Sequence, residues 1–145
     1  MIRRANGDDL VSLKAFLAKA GLGTQGLTEE TAGYFLVIEN EDRTLRGTLG
    51  IEPFKENGLL RSLVVTSGQA ESDIYLLFQH AFLLAKELGI VTLFLATNKN
   101  GTVQFLQILG FQVVDKTELP QELSQSAHIN HIMSVDNSIF FKFSL

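Results

Sequence analysis

Apolar positions along the chain follow two periods. Leu10, Leu13, Phe16, Leu17 and Ala20 recur at helical spacing. They predict a helix that Asp8 or Asp9 caps and Gly21 and Gly23 end. Ile74, Leu77, Phe78, Ala81, Phe82, Ala85 and Leu88 line one face of a longer helix stopped by Gly89. Val103, Leu106 and Leu109 mark a shorter one that ends at Gly110, and Leu119–Ser126 reads as a helix with Pro120 in its first turn. Strand patterns fill much of the rest. Ile2–Ala5 is a short apolar entry strand. Tyr34–Glu39 is a strand joined by the turn Asn40–Arg43 to Thr44–Phe54, which alternates through Leu45, Gly47, Leu49 and Ile51. Gly50 inside it points to a bulge or a close approach. After a second turn at Glu56–Gly58 comes Leu59–Val65, too apolar to face water on one side. Ile90–Ala96, Phe111–Val114 and the tail Ser138–Leu145 are further strands. Leu22–Gly33 is a glycine-bearing loop with one helical turn at Thr28–Thr31, and Thr66–Asp73 is a loop leading into the long helix.

The predicted order is β-α-loop-β-β-β-α-β-α-β-β. Three hairpin-linked strands precede a strand–helix–strand unit. This is an α/β fold with a mixed, mainly antiparallel sheet, one parallel crossover and flanking helices.

Composition narrows the class. At 145 residues, the chain reads as one domain spanning 1–145. Hydrophobic residues make up 46% and charged residues 19%, which is globular rather than disordered. The 12 Lys+Arg against 16 Asp+Glu give a net charge of −4, which argues against a nucleic-acid-coating protein. Cys is absent, so disulfides, Cys-based zinc sites and thiol nucleophiles are excluded. Met1-Ile2-Arg3-Arg4 runs straight into polar residues, and no apolar run reaches 18 residues, so neither a secretory signal nor a membrane span is expected. The expected location is cytoplasmic.

Arg61 is a lone charge in an otherwise apolar strand. Two readings stand for it. It presents its guanidinium to clamp a carboxylate, or it snorkels to the surface or pairs with Glu52. His80, His128 and His131 lack the further ligands of a metal set, so no metal is expected. No Gly-x-Ser-x-Gly nucleophile motif occurs.

The element order resembles the GCN5-related N-acetyltransferase (GNAT) family, and local motifs agree. Gly58-Leu59-Leu60-Arg61-Ser62-Leu63-Val64-Val65 resembles the central strand of a branch that includes arsenic-resistance and amino-acid N-acetyltransferases. Gly50-Ile51-Glu52 stands where that branch has Gly-Leu-Glu. Phe105–Phe111 resembles the family's aromatic-x-x-x-x-Gly-Phe element, and Lys116–Leu123 the stretch that follows it in N-acetylglutamate synthases.

The resemblance implies acetyl-coenzyme A as co-substrate and a small-molecule amine as acceptor, with an amino acid or related carboxylate-bearing amine favoured. In the family, backbone N–H groups at the start of the long helix cradle the pyrophosphate. The matching residues are Gly68, Gln69, Ala70, Glu71, Ser72, Asp73 and Ile74, following Leu63, Val64 and Val65 on the strand. A backbone N–H near Val64 or Val65 would polarise the thioester carbonyl. Here the loop departs from the family pattern. Ala70 stands where arginine is usual, Glu71 and Asp73 stand where glycine or arginine is usual, and Tyr75 replaces a small residue. Two carboxylates there suit a helix N-terminus but oppose a pyrophosphate.

By the same likeness Glu52 is the candidate base, and Arg61 with Ser62 the acceptor-binding pair. Asn98 and Lys99 follow the fifth strand, where the family contacts the cofactor. The family's tyrosine acid falls on Leu106, which leaves Tyr75 as the candidate acid. The resemblance therefore implies an N-acetyltransferase. The alternative is a non-catalytic GNAT-fold binding or regulatory module with weakened coenzyme A binding. A third reading is a subunit that pairs through the tail strand Ser138–Leu145, completing a sheet in another protomer, a homodimer included.

Overall fold

The computed structural model describes residues 1–66, 70–98, 100–133 and 138–145. The strands are β1 (Ile2–Arg4), β2 (Phe35–Glu39), β3 (Leu45–Phe54), β4 (Asn57–Val65), β5 (Thr92–Thr97), β6 (Gln112–Val114) and β7 (Ile139–Ser144). The helices are α1 (Leu10–Lys19), α2 (Glu29–Ala32), α3 (Ala70–Glu87), α4 (Val103–Leu109) and α5 (Ala127–Met133). The strands form one seven-stranded sheet in the order β1-β2-β3-β4-β5-β7-β6. The β4–β5 pair is parallel, and β1–β2, β2–β3, β5–β7 and β6–β7 are antiparallel. The expected α/β class with one parallel crossover is the observed one.

Two compact units divide the chain, one of Met1–Glu52 and Arg61–Leu84, the other of Pro53–Leu60 and Ala85–Leu145. In the first, Leu13 and Leu17 of α1 bury against Ala5, Leu27, Ala32, Phe35 and Val37. Each such leucine contributes roughly 1.5–3 kcal/mol of burial. Asp9 stands at the N-cap position of α1 as expected but makes no side-chain capping bond there, and Asn6 caps the 3-10 turn that precedes it. The Asn6 side chain accepts from the Asp8 N–H, while Asp9 reaches back to the Asn6 N–H in a capping box. A short 3-10 turn at Gly7–Asp9 then leads into α1.

The β2–β3 hairpin closes at Asn40–Arg43 as predicted, with Arg43 left-handed at φ +70°. Gly50 is a close approach rather than a bulge, since a Cβ there would lie 2.6 Å from the Phe35 ring. The register instead slips between Ile38↔Gly47 and Glu39↔Leu45, which leaves Arg46 as the extra residue of a bulge. On this stretch of β3, α3 packs close, because a Cβ on Gly47 would meet Leu77 at 3.5 Å.

The second unit centres on Leu59, Phe94, Val114, Leu123, Ile129 and Phe140. Gly89 and Gly110 end their helices in left-handed conformations, as expected. Two expectations are corrected here. Pro120 precedes a 3-10 segment, Gln121–Gln125, rather than opening an α-helix, and α5 follows it unforeseen. The tail strand β7 is no free edge: β5 pairs with one side of it and β6 with the other. Phe140 and Phe141 are buried, so its backbone and aromatics are already committed within this chain, and the tail cannot complete a sheet in another protomer.

Arg3 ties β1 to the capped turn and to β2. Its Nη1 and Nη2 donate to Asp9 at 2.9 and 2.8 Å, and its Nε donates to Glu39. The hydrogen bonds from Arg3 hold the Asp9 carboxyl below its ordinary value of 3.8. A carboxylate lowered on folding adds stability that is present above the unfolded value and lost as pH falls through the folded one. D9N is therefore expected to cost about 1 kcal/mol at pH 7. In urea titrations from pH 7 to pH 2, the gap between wild type and D9N should close as pH drops below the ordinary carboxylate range. A gap that stays constant to pH 2 would remove Asp9 from the acid-labile contacts.

Candidate active site

Of the residues singled out in the sequence, Glu52, Arg61, Ser62, Leu63, Val64 and Val65 lie on β3 and β4, and Ala70, Glu71, Ser72, Asp73, Ile74 and Tyr75 at the start of α3, all within the first unit. On β4, Leu59 and Leu60 are buried, but Arg61 and Ser62 are half-buried and Leu63 is 38% exposed. The strand is thus not covered along its whole length, contrary to its apolar sequence. Its end carries an exposed hydrocarbon side chain suited to an apolar ligand.

Ser62 has φ +59°, a left-handed backbone inside a strand. A non-glycine residue holds that conformation at a cost of roughly 1–3 kcal/mol, and only where its neighbours enforce it. One neighbour is Thr48, fully buried on β3, whose hydroxyl donates to the Ser62 carbonyl at 2.9 Å.

Arg61 and Glu52 stand side by side, with Arg61 Nη1 3.6 Å from Glu52 Oε1 and both side chains partly exposed. Arg61 Nε also donates to Ser62 Oγ at 3.4 Å. Both contacts are at the long end of the range, so the guanidinium is loosely held and keeps donors for a ligand. Of the readings for Arg61, the side chains show the pairing with Glu52.

At the start of α3, sequence reasoning missed Arg46. Asp73 is 1% exposed and its two oxygens accept from Arg46 Nε at 3.0 Å and Nη2 at 3.2 Å. The bulge on β3 re-aims Arg46 so that its guanidinium reaches α3. The Arg46 carbonyl meanwhile accepts from the Thr66 N–H at 2.9 Å at the end of β4. One residue therefore fastens β3, the end of β4 and the first turn of α3. Asp73 is not a bare negative charge facing a phosphate. Its charge is neutralised by a fork-shaped, bidentate partner. Glu71 and Ser72 are exposed and Ala70 and Ile74 half-buried. The only sequence signal for Arg46 was a charged residue in an alternating strand, which alone reads as solvent-facing.

Tyr75 is 51% exposed on the second turn of α3. Gly68, Gln69 and Lys99 lie outside the described residues. In the second unit, Asn98 is exposed just past β5 and Leu106 is buried on α4. Among the described residues, no group of three or more His, Asp or Glu side chains is placed to hold a metal. No described helix is long and apolar enough to cross a membrane.

A groove of about 630 Å³ borders Arg46, also lined by Met1, Arg3, Glu39, Asn40, Glu41 and Arg43. Two of its three arginines already serve internal carboxylates, Arg3 with Asp9 and Glu39, and Arg46 with Asp73. It is therefore a poor anion site.

No family model matches the chain. The uncharacterised protein YwlB of Bacillus subtilis (strain 168) is 31% identical over 142 residues, 97% of this chain and 95% of YwlB. The chain belongs to one family with YwlB. Solved structures show its fold to be that of the GNAT acetyltransferases. An acetyltransferase of the GNAT family from Staphylococcus aureus Mu50 superposes with TM-score 0.76 at 19% identity, over all of this chain and 98% of that one. Rv2747 from Mycobacterium tuberculosis, solved with CoA, gives 0.76 at 17% identity over all of this chain and 99% of that one. N-acetylglutamate synthase from Neisseria gonorrhoeae, solved with coenzyme A and N-acetyl-glutamate, gives 0.78 at 22% identity. This chain spans 35% of that synthase.

Removing one member of the Arg46–Asp73 pair tests how buried it is. R46A removes the bidentate arginine from a buried carboxylate and is expected to cost about 3 kcal/mol. D73A leaves the more exposed guanidinium able to find water and should cost about 1–2 kcal/mol. Urea unfolding of both variants and the double variant measures the coupling. If D73A costs as much as R46A, the acid is not the buried dependent partner described here.

Proposed function

We propose that the chain is an acetyl-coenzyme A-dependent N-acetyltransferase whose acceptor is a small amine bearing a carboxylate. The observation that carries this reading is the loosely held Arg61 guanidinium beside Glu52 on the two central strands. A cation with donors to share and an adjacent carboxylate are the pair such an acceptor needs. Arg61 clamps the acceptor's carboxylate, and Glu52 takes up the proton its ammonium must shed before nitrogen can attack. The fold's likeness to acetyltransferases supports the same reading.

The residues present fit coenzyme A. With Asp73 drawn onto Arg46, the N–H groups of the first turn of α3 face less negative charge than the sequence suggested. Exposed Leu63 offers an apolar contact for the pantetheine arm. When bound, acetyl-coenzyme A supplies the activated acetyl group. The chain's own contributions are these: the backbone N–H of Val64 or Val65 polarises the thioester carbonyl, Tyr75 returns a proton to the departing sulfur, and Ser62 lines the acceptor position with Arg61. Gly68, Gln69, Ala70, Glu71, Ser72 and Ile74 are proposed as cofactor contacts.

A second reading, a non-catalytic coenzyme A-binding module, is favoured by one observation. Leu106 buries a hydrocarbon where the family places a tyrosine hydroxyl.

Calorimetry with coenzyme A, followed by acetyl-coenzyme A turnover across a panel of L-amino acids, separates the readings. The proposal expects micromolar binding and turnover with at least one amino acid. It also expects R61A to raise the acceptor KM at least about tenfold, a loss of about 1.4 kcal/mol, while coenzyme A affinity is unchanged. Binding without turnover selects the module. Absence of binding at millimolar coenzyme A rules out both.

A further inference from the structure

Thr48 is a fully buried hydroxyl on β3, and its donor is committed to β4. It bonds to the carbonyl of the single β4 residue with a left-handed backbone. A buried hydroxyl is costly unless bonded, and a strained serine is costly unless held; each offsets the other. The Ser62 hydroxyl does not itself hold the turn, since its one polar neighbour among the described residues is Arg61 Nε at 3.4 Å. The Ser62 carbonyl that Thr48 grips shares its planar peptide unit with the Leu63 N–H, from which the chain runs on to Val64.

Resting on the acetyl-transfer reading above, we propose that Thr48 is a positioning residue for that reaction. Its hydroxyl holds the left-handed turn at Ser62, so that the backbone N–H groups beyond it point at the acyl carbonyl. Thr48 touches no substrate. It acts through the backbone of β4, and its loss affects the acetyl group rather than the coenzyme A body.

The test compares wild type, T48V (same shape, no donor) and T48S (donor restored) by calorimetry with coenzyme A and with acetyl-coenzyme A. Thiol release from acetyl-coenzyme A in the amino-acid panel is measured alongside. Wild type should prefer acetyl-coenzyme A. T48V should lose that preference and turn over at least about tenfold more slowly, with coenzyme A affinity within about twofold of wild type. T48S should restore both. If T48V does not fold, T48V/S62G carries the reading, because glycine adopts the left-handed backbone without an anchor. A wild type that binds both ligands equally, or a T48V with unchanged preference and rate, overturns the positioning role. A wild type that binds neither ligand overturns the acetyl-transfer reading and this proposal with it.

Discussion

The fastening of β3 to the first turn of α3 by Arg46 and Asp73 is the constraint on which the rest of the site depends. It exists because the β2–β3 ladder slips by one residue at Arg46. An arginine in unbroken alternation would take its place on one face of the sheet with its strand neighbours. The bulge turns it onto a buried carboxylate, and its own carbonyl holds the Thr66 N–H. The ends of β4 and β3 and the start of the long helix are thereby fixed at one point. A phosphate cradle built from backbone N–H groups requires such fixing, since it has no side chain to adjust.

β4 shows a second departure from regular strand geometry, met by the buried Thr48 hydroxyl of β3. Thr48 holds Ser62, as Arg46 holds Asp73 and Thr66. The buried polar residues described in this unit, Thr48 and Asp73, thus both tie β3 to a neighbouring element, while α1, α2 and β2 supply much of its hydrocarbon. Strain and buried polarity are costly, and proteins retain them where function requires a particular backbone direction. Their coincidence with Arg61 and Glu52 favours this region over the arginine-lined groove as the proposed site.

Much of this was legible in the chain. The hairpin at Asn40–Arg43, the stop at Gly89 and the helical face of α3 were written in period and turn chemistry, which act locally. The convergence of Glu52 and Arg61 followed from reading their strands as neighbours. What was hidden depends on register. A bulge adds one residue without changing composition, so Arg46 did not announce itself, and the residue type of Ser62 gave no sign of its left-handed backbone. Asp73 read as an obstacle because its partner lies 27 positions away in sequence. The tail looked like an exposed aromatic edge because alternation does not say how many neighbours a strand has; β7 has two. α5 escaped notice because its histidines and asparagine mask a short apolar face around Ile129.

The central claim is that the first turn of α3, freed of the Asp73 charge, receives the phosphates of coenzyme A. Amide-detected NMR of the labelled protein titrated with coenzyme A tests this most directly. The account predicts the largest shifts at the N–H groups of Ala70–Asp73, with a second set at Leu63–Val65 of β4. Shifts confined to the groove around Arg3 and Arg43, with α3 unmoved, would contradict it.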